Sequence, residues 1–280
     1  MQVYINPRDL EEFKRIVRKL LSIDLSSYKD NFLRRRLAMR MRAVGARNLK
    51  EYINLILSDP TELNRLLDNI TINVSQFFRD PHIWVAIYEQ VLSPLIKLKR
   101  KRNSYTIRIW SAGCARGEEP YSISIMLHEL LGAEINRFNI VIYATDIDPK
   151  AIAAAKEGRY HVQSVMNVPT SWLKRHFAYD AATGMYSVKP HIKRIVRFMI
   201  HDLTRDPPPR SLDIIFCRYV MIYFDKVVQK LVLQKFLHAL NSGGYLILGP
   251  SEYLLDEFNE YFEPIDIRAR IYKKKGLSDR

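Results

Sequence analysis

Cysteine is scarce: Cys114 and Cys217 are the only two in 280 residues. Two thiols so far apart exclude a disulfide framework and a four-cysteine zinc site, and they suit a reducing compartment, so a cytoplasmic protein without a metal is expected. Long apolar runs are missing as well. None approaches the ~18 residues of a membrane span. The first residues, MQVYINPRDLEEFKRIVRKLL, carry early acids and no apolar block with a small-residue cleavage site, so neither a signal peptide nor membrane insertion is expected. There is no internal repeat and no low-complexity tract. No G-x-G-x-x-G stretch occurs, no glycine loop ends in Lys-Ser/Thr, and no Ser-His or His-Asp arrangement suggests an activated nucleophile.

What is present reads as globular: 48% apolar and 26% charged residues, at a length that suits one larger and one smaller domain. The formal net charge is +14, which implies an acidic partner without saying which kind. The excess is uneven. From Lys29 to Lys50 there are eight basic residues and one acid, Asp30, interleaved with apolar residues. A second basic run, Lys97 to Arg102, reads equally well as a solvated face or a linker.

The first seventy or so residues carry helical spacing. Leu10, Phe13, Val17, Leu20 and Leu21 mark a helix over 9–21. Phe32, Leu33, Leu37, Met41 and Val44 mark another over 28–44, with Gly45 as its C-cap. A third is expected over 49–57, and a fourth runs from a Thr61 cap to about Asn69. After Lys101 the pattern alternates. Strands are expected at 105–110, 139–145, 195–200, 212–217, 245–248 and 267–274, and helices at 118–131, 149–157 and 225–240. Such alternation predicts a doubly wound, mostly parallel sheet. A hairpin around Gly184 predicts a small β insertion.

Three stretches carry chemistry. Trp110–Ser122 (WSAGCARGEEPYS) follows a strand and opens a helix, which lets a backbone approach a nucleotide cofactor closely. Its Glu118 and Glu119 would repel a pyrophosphate and attract an ammonium or sulfonium, which disfavours NAD and ATP and favours S-adenosylmethionine. The competing reading is helix-dipole stabilisation, worth roughly 0.3–1 kcal/mol each. In Ala144–Asp148 (ATDID), Asp146 is placed to accept from ribose hydroxyls, and Asp148 to cap the next helix. Ile215–Asp225 (IFCRYVMIYFD) puts polar and aromatic residues at a strand end, where ligands bind; Tyr223 there suits core packing equally well. Thr71–Asp80 (TINVSQFFRD) reads as a connector with a buried aromatic anchor.

INVSQFFRD, WSAGCARGEEPYS, ATDID, IFCRYVMIYFD and GPSE, in that order and after a helical N-terminus, resemble the chemotaxis receptor methyltransferases, the CheR family, over nearly the whole chain. The resemblance implies a small all-α domain (1–72), a connector and linker helix (73–103), and a Rossmann-like S-adenosylmethionine-dependent methyltransferase domain (104–280) with its β insertion at about 178–194. It implies methyl transfer to glutamate side chains of bacterial chemoreceptors, leaving S-adenosylhomocysteine. Carried over by position, Asn73, Ser75, Arg79, Gly113, Glu119, Asp146, Asp202, Leu203, Arg218 and Tyr219 line the cofactor, and Arg79 and Tyr223 flank the transferred methyl. Tyr219 stands where the family has asparagine. The resemblance gives Arg34, Arg35, Arg36, Arg40 and Arg42 a receptor-docking role. The short stretch 178–186, with one glycine, predicts no tight binding of a receptor tail peptide. A monomer that binds no nucleic acid is expected; the alternatives are an RNA or other protein methyltransferase and a non-catalytic cofactor sensor.

Overall fold

The apolar spacing of the first seventy residues becomes the helices Pro7–Leu21, Asp30–Val44, Leu49–Ser58 and Pro60–Thr71. The structure, a computed structural model, describes residues 5–21, 24–71 and 74–276. They fall into two units: one within Met1–Asn73 together with Tyr223–Gln229, the other Val74–Ile222 with Lys230–Arg280. In the first, Leu10, Phe13, Val17, Leu33, Leu37, Met41, Tyr52 and Leu66 are fully buried. Gly45 ends the second helix in a left-handed conformation, φ 74°, as glycine does without steric cost. The fourth helix is capped one turn position earlier than Thr61. It starts at Pro60, and Asp59 Oδ1 accepts from the Thr61 N–H at 2.8 Å, because proline in the first position needs no partner for an N–H.

The second unit holds the strands β1 (Thr106–Ala112), β2 (Asn139–Asp146), β3 (Arg159–Tyr160), β4 (Phe177–Asp180), β5 (Met185–Val188), β6 (Val196–Ile200), β7 (Leu212–Cys217), β8 (Leu240–Leu248), β9 (Phe262–Asp266) and β10 (Ile271–Lys274). The main sheet has the order β6-β2-β1-β7-β8-β10-β9, parallel from β6 to β8 and antiparallel over the last two. The order reverses beside β1, so the carboxyl ends of β1, β2 and β7 open on one crevice, where doubly wound sheets take ligands. Every residue of β7 is buried, which explains its apolar run Ile214–Cys217; its one charge, Asp213, is paired with Lys99. The insertion is a separate sheet, β3-β5-β4, rather than a lone hairpin.

Three local outcomes depart from expectation. β8 begins at Leu240, five residues before the expected 245, and its register on β7 slips between Leu212 and Ile214. β9 contains Pro264 and sits at the sheet edge, the place where a strand tolerates proline. The linker helix expected within 73–103 spans 81–101, but with an unforeseen wide turn at Tyr88–Leu92, just before Pro94, whose ring cannot continue the regular bonding. The basic run closes that stretch: Lys99 reaches Asp213 Oδ1 at 2.7 Å and Arg100 reaches Glu134.

Candidate cofactor site

Two glycines shape the loop between β1 and the helix Glu118–Leu131. Gly113 has φ 79°, donates its N–H to the Thr145 carbonyl at 2.8 Å, and a Cβ there would lie 2.3 Å from Val220 Cγ2. Gly117 has φ 94°, and its Cβ would meet Ala155 and Phe198 at 3.0 and 3.1 Å. The backbone is therefore pressed onto β2 and the β7 loop with no room for a side chain. Gly113→Ala is expected to weaken S-adenosylhomocysteine binding at least about tenfold in calorimetry, through a left-handed conformation costing ~1–2 kcal/mol and the collision with Val220. Val220→Ala in the same chain should recover part of the loss; no recovery would mean that the loop is set elsewhere.

The acids around this loop differ in how they are held. Asp146, at the end of β2, accepts from the Ala115 N–H at 2.8 Å and the Asp148 N–H at 3.0 Å. Burial pushes its carboxyl up to about 6, against those backbone donors. Asp148 caps the following helix, accepting from Lys150 N–H at 2.8 Å. Glu119 Oε1 accepts from the Ser111 hydroxyl at 2.7 Å, and Oε2 lies 3.5 Å from Arg218 Nη1. Burial raises its carboxyl, which Arg218 partly offsets. Glu118 is 2% exposed, its Oε2 has no hydrogen-bond partner, and Ser75 bonds its carboxylate. Burial pushes Glu118 up to about 7.

Two pH effects follow. If Asp146 accepts from ribose hydroxyls, as the family resemblance implies, its ionised form is the stronger acceptor, so affinity for S-adenosylhomocysteine should fall by up to roughly tenfold per pH unit below about 6 and level off above 7. Asp146→Asn should bind weakly and with a flatter profile in the same titration. For Glu118 the folded carboxyl sits above its ordinary 4.5, so the folded form holds the proton more tightly. Its ionisation therefore erodes stability as pH rises from about 4.5 to about 7, and the loss is complete above that. Glu118→Gln is expected to raise the Tm of the cofactor-free protein at pH 8 by roughly 2–6 °C, with no gain at pH 4; a lower Tm at pH 8 would show that the charge supports the fold.

Beside the acids, Arg218 at the end of β7 is a buried hub. Its Nη2 donates to Asp80 Oδ2 at 2.7 Å and to the Arg79 carbonyl at 3.1 Å. Trp84 Nε1 donates to the same carbonyl at 2.9 Å. Tyr219 has φ 62°, a left-handed conformation uncommon for an aromatic residue. Its N–H donates to Glu252 Oε2 at 2.8 Å, its hydroxyl donates to Asp80 Oδ2 at 2.5 Å, and the Arg79 guanidinium lies 3.6 Å from its ring centre. Glu252, in GPSE, collects the N–H groups of Gly249, Tyr219, Val220 and Met221 at 2.6–2.8 Å. A Cβ on Gly249 would sit 2.6 Å from that carboxylate.

The remaining sequence candidates are distributed as follows. Asp202 folds its own turn, accepting from the Thr204 N–H and hydroxyl at 2.8 and 2.7 Å, and Leu203 beside it is buried. Asn73 lies outside the described residues. Tyr223 belongs to the helical unit, where its ring packs 4.9 Å from Phe32 and its carbonyl accepts from the Lys29 N–H at 2.9 Å. Of the five arginines, Arg40 does not belong to a free face. It pairs with Glu62, which is 1% exposed and also accepts from the Tyr52 hydroxyl at 2.8 Å; a buried carboxylate needs such a partner. Arg34 donates to the Ile5 carbonyl at 2.6 Å, and Arg36 lies 5.3 Å from the Phe32 ring centre. Arg35 and Arg42 are exposed. Asp80 and Glu252 had no site role in the sequence reading, and Glu118 had one only as the first acid of a glutamate pair. Glu252 was legible only as a member of GPSE, and Asp80 only as the neighbour of Arg79.

Comparison with known proteins decides the family. The profile described as "CheR methyltransferase, SAM binding domain" matches residues 73–271, and "CheR methyltransferase, all-alpha domain" matches residues 8–71. The chain belongs to the CheR methyltransferase family. It is 34% identical to the chemotaxis protein methyltransferase of Listeria monocytogenes, over 89% of this chain and 91% of that protein. It is 32% identical to an uncharacterised 104.1 kDa protein of Rhodobacter capsulatus, over 90% of this chain, but spans only 26% of that protein. Among solved structures it is similar to a TehB-like SAM-dependent methyltransferase from Corynebacterium glutamicum, with 16% identity, a TM-score of 0.34, and coverage of 60% of this chain and 78% of that one.

The cofactor of this CheR chain is S-adenosylmethionine, and the loop fits it. Two glycines let the loop pack tightly against Val220, Ala155 and Phe198 at the carboxyl end of β1, a buried Glu118 oxygen has no partner, and acids rather than lysines stand at the helix N-terminus. A cationic ligand meets its electrostatic complement there. No helix among the described residues is long and apolar enough to cross a membrane.

Proposed function

We propose that this chain methylates glutamate side chains on the cytoplasmic helices of chemoreceptors, forming methyl esters in chemotactic adaptation. The relative from Listeria monocytogenes, named a chemotaxis protein methyltransferase and matched almost end to end, supports the reading. The observation in the structure that carries it is the charge arrangement: buried acids stand at the cofactor loop, and Arg79 presents a guanidinium over the ring of Tyr219, whose neighbour Arg218 reaches Glu119.

S-adenosylmethionine, when bound, supplies an electrophilic methyl group on a sulfonium. On the resemblance, Asp146 would hold the ribose hydroxyls, Glu119 would meet the methionine or ribose end with Glu118 beside it in the chain, and Asp202 and Leu203 would flank the adenine. Asp202 keeps Leu203 in place through its turn. The acceptor is a glutamate whose ordinary pKa is about 4.3, so it arrives ionised and needs no general base. The task of the protein is to orient that carboxylate and keep the cleft dry, since attack of an anion on a cation disperses charge. Arg79 is assigned to the carboxylate: one N–H is held by the Val74 carbonyl at 2.9 Å, and its other N–H groups make no hydrogen bond among the described residues. A guanidinium edge pairs with a carboxylate in two parallel bonds. Tyr223 is assigned, on the resemblance, to a hydrogen bond beside the methyl. Arg35 and Arg42 carry the docking role, with Arg34 and Arg36 flanking them.

The test is transfer of labelled methyl from S-adenosylmethionine to a receptor cytoplasmic fragment, followed by mild alkali. A carboxyl methyl ester releases its label as methanol, whereas label that resists alkali would point to nitrogen or carbon methylation.

A further inference from the structure

Tyr219 adopts a left-handed conformation that asparagine would take at less cost. A tyrosine at φ 62° persists only where its surroundings over-determine it, and here three contacts do so. Its N–H is on Glu252, its hydroxyl is on Asp80, and its ring face lies under the Arg79 guanidinium, 3.6 Å from the ring centre. Asp80 is itself fixed by Arg218, whose side chain is 2% exposed, and Arg218 also holds the Arg79 carbonyl. The ring is thus anchored at both ends, by backbone and hydroxyl. The guanidinium is held by that ring and by the Val74 carbonyl, and its remaining N–H groups make no hydrogen bond among the described residues.

We propose that Tyr219 is a positioning residue for methyl transfer: its ring, tied down through Asp80, is the platform that fixes the plane of the Arg79 guanidinium and thereby the approach of the acceptor carboxylate. The inference rests on the assignment of Arg79 to that carboxylate. Planar stacking on an aromatic face is a property of arginine that a lysine ammonium does not reproduce. The role therefore belongs to the ring, and the hydroxyl serves only to hold the ring still.

The experiment is a double-mutant cycle with the full chain and a receptor cytoplasmic fragment. It reads kcat and receptor KM at saturating S-adenosylmethionine, and S-adenosylhomocysteine affinity by calorimetry. Tyr219→Leu is expected to lower kcat about tenfold while cofactor affinity changes less than threefold. Tyr219→Phe should bring kcat back to within about threefold of the parent chain, and Tyr219→Trp, which keeps a platform if the leucine variant misfolds, should do likewise. Arg79→Lys should lower kcat alone, and adding Tyr219→Leu to it should cost less than twofold more. Losses that multiply independently would overturn the platform role and leave Arg79 in place. An Arg79→Lys chain with full turnover would instead remove the assignment of Arg79, and the inference with it. Recovery by Tyr219→Asn but not by Tyr219→Phe would also overturn it, because the amide and not the ring would then matter.

Discussion

Glu252→Ala is expected to lower the Tm by roughly 10 °C or more and to abolish measurable cofactor binding. The side chain is 3% exposed, and its two oxygens take the N–H groups of Gly249, Tyr219, Val220 and Met221. Three of those donors are the backbone of the turn after β7, the turn that presents Arg218 and Tyr219, and the fourth, Gly249, follows β8. Removing the carboxylate leaves buried N–H groups without partners, each costing about 1–3 kcal/mol unless water enters. At roughly 2–4 °C per kcal/mol for a domain of this size, a few unmet donors suffice. Glu252→Gln keeps one acceptor oxygen and should fall between the parent chain and Glu252→Ala. Thermal unfolding followed by calorimetry with S-adenosylhomocysteine checks both. A Glu252→Ala protein with parental Tm would show that the turn is held by its other contacts.

Arg79→Ala should behave in the opposite way: little change in stability, a large change in rate. The connector is anchored at Arg79 by its backbone, since Trp84 and Arg218 both donate to its carbonyl. Two aromatic rings on either side of the connector backbone add to this, with Phe77 fully buried against Tyr160 and Phe177, and Phe78 against Trp84. Cutting the side chain at Cβ removes the guanidinium and its bond to Val74 while sparing that frame. If Arg79 orients the acceptor, kcat should drop roughly 10²–10³-fold, the scale seen when one charge-stabilising donor is removed from a site. Affinity for S-adenosylhomocysteine should change less than about tenfold. A drop in affinity that accounts for the whole loss of rate would move Arg79 from the acceptor to the cofactor.

The fold was legible wherever the local pattern and the tertiary environment agree. Helical stripes gave Pro7–Leu21 and Asp30–Val44 to within a few residues, and apolar runs gave β2 and β7. β9 was not legible, because Pro264 argues against a strand unless its edge position is known, and edge position is a property of the whole sheet. The site divides along the same line. Gly113 and Asp146 announce themselves, since a glycine loop and an acid at a strand end follow from local chain geometry. Glu252 does not. Its role is to accept from residues more than thirty positions earlier, which nothing nearby in the sequence specifies. Arg40 shows the converse. On a helical wheel it joins the other arginines, yet Glu62, 22 residues on, draws it into the helical unit.

The most direct measurement compares acceptors side by side at low and moderate salt. Labelled S-adenosylmethionine would be offered to a receptor cytoplasmic fragment, to the same fragment with its surface glutamates changed to glutamine, and to a structured RNA. The expected result is alkali-labile label on the first alone, lost in the Arg79→Ala chain. Label on RNA, alkali-stable label on either fragment, or firm cofactor binding without transfer to any acceptor would contradict glutamate methylation as the function of this site.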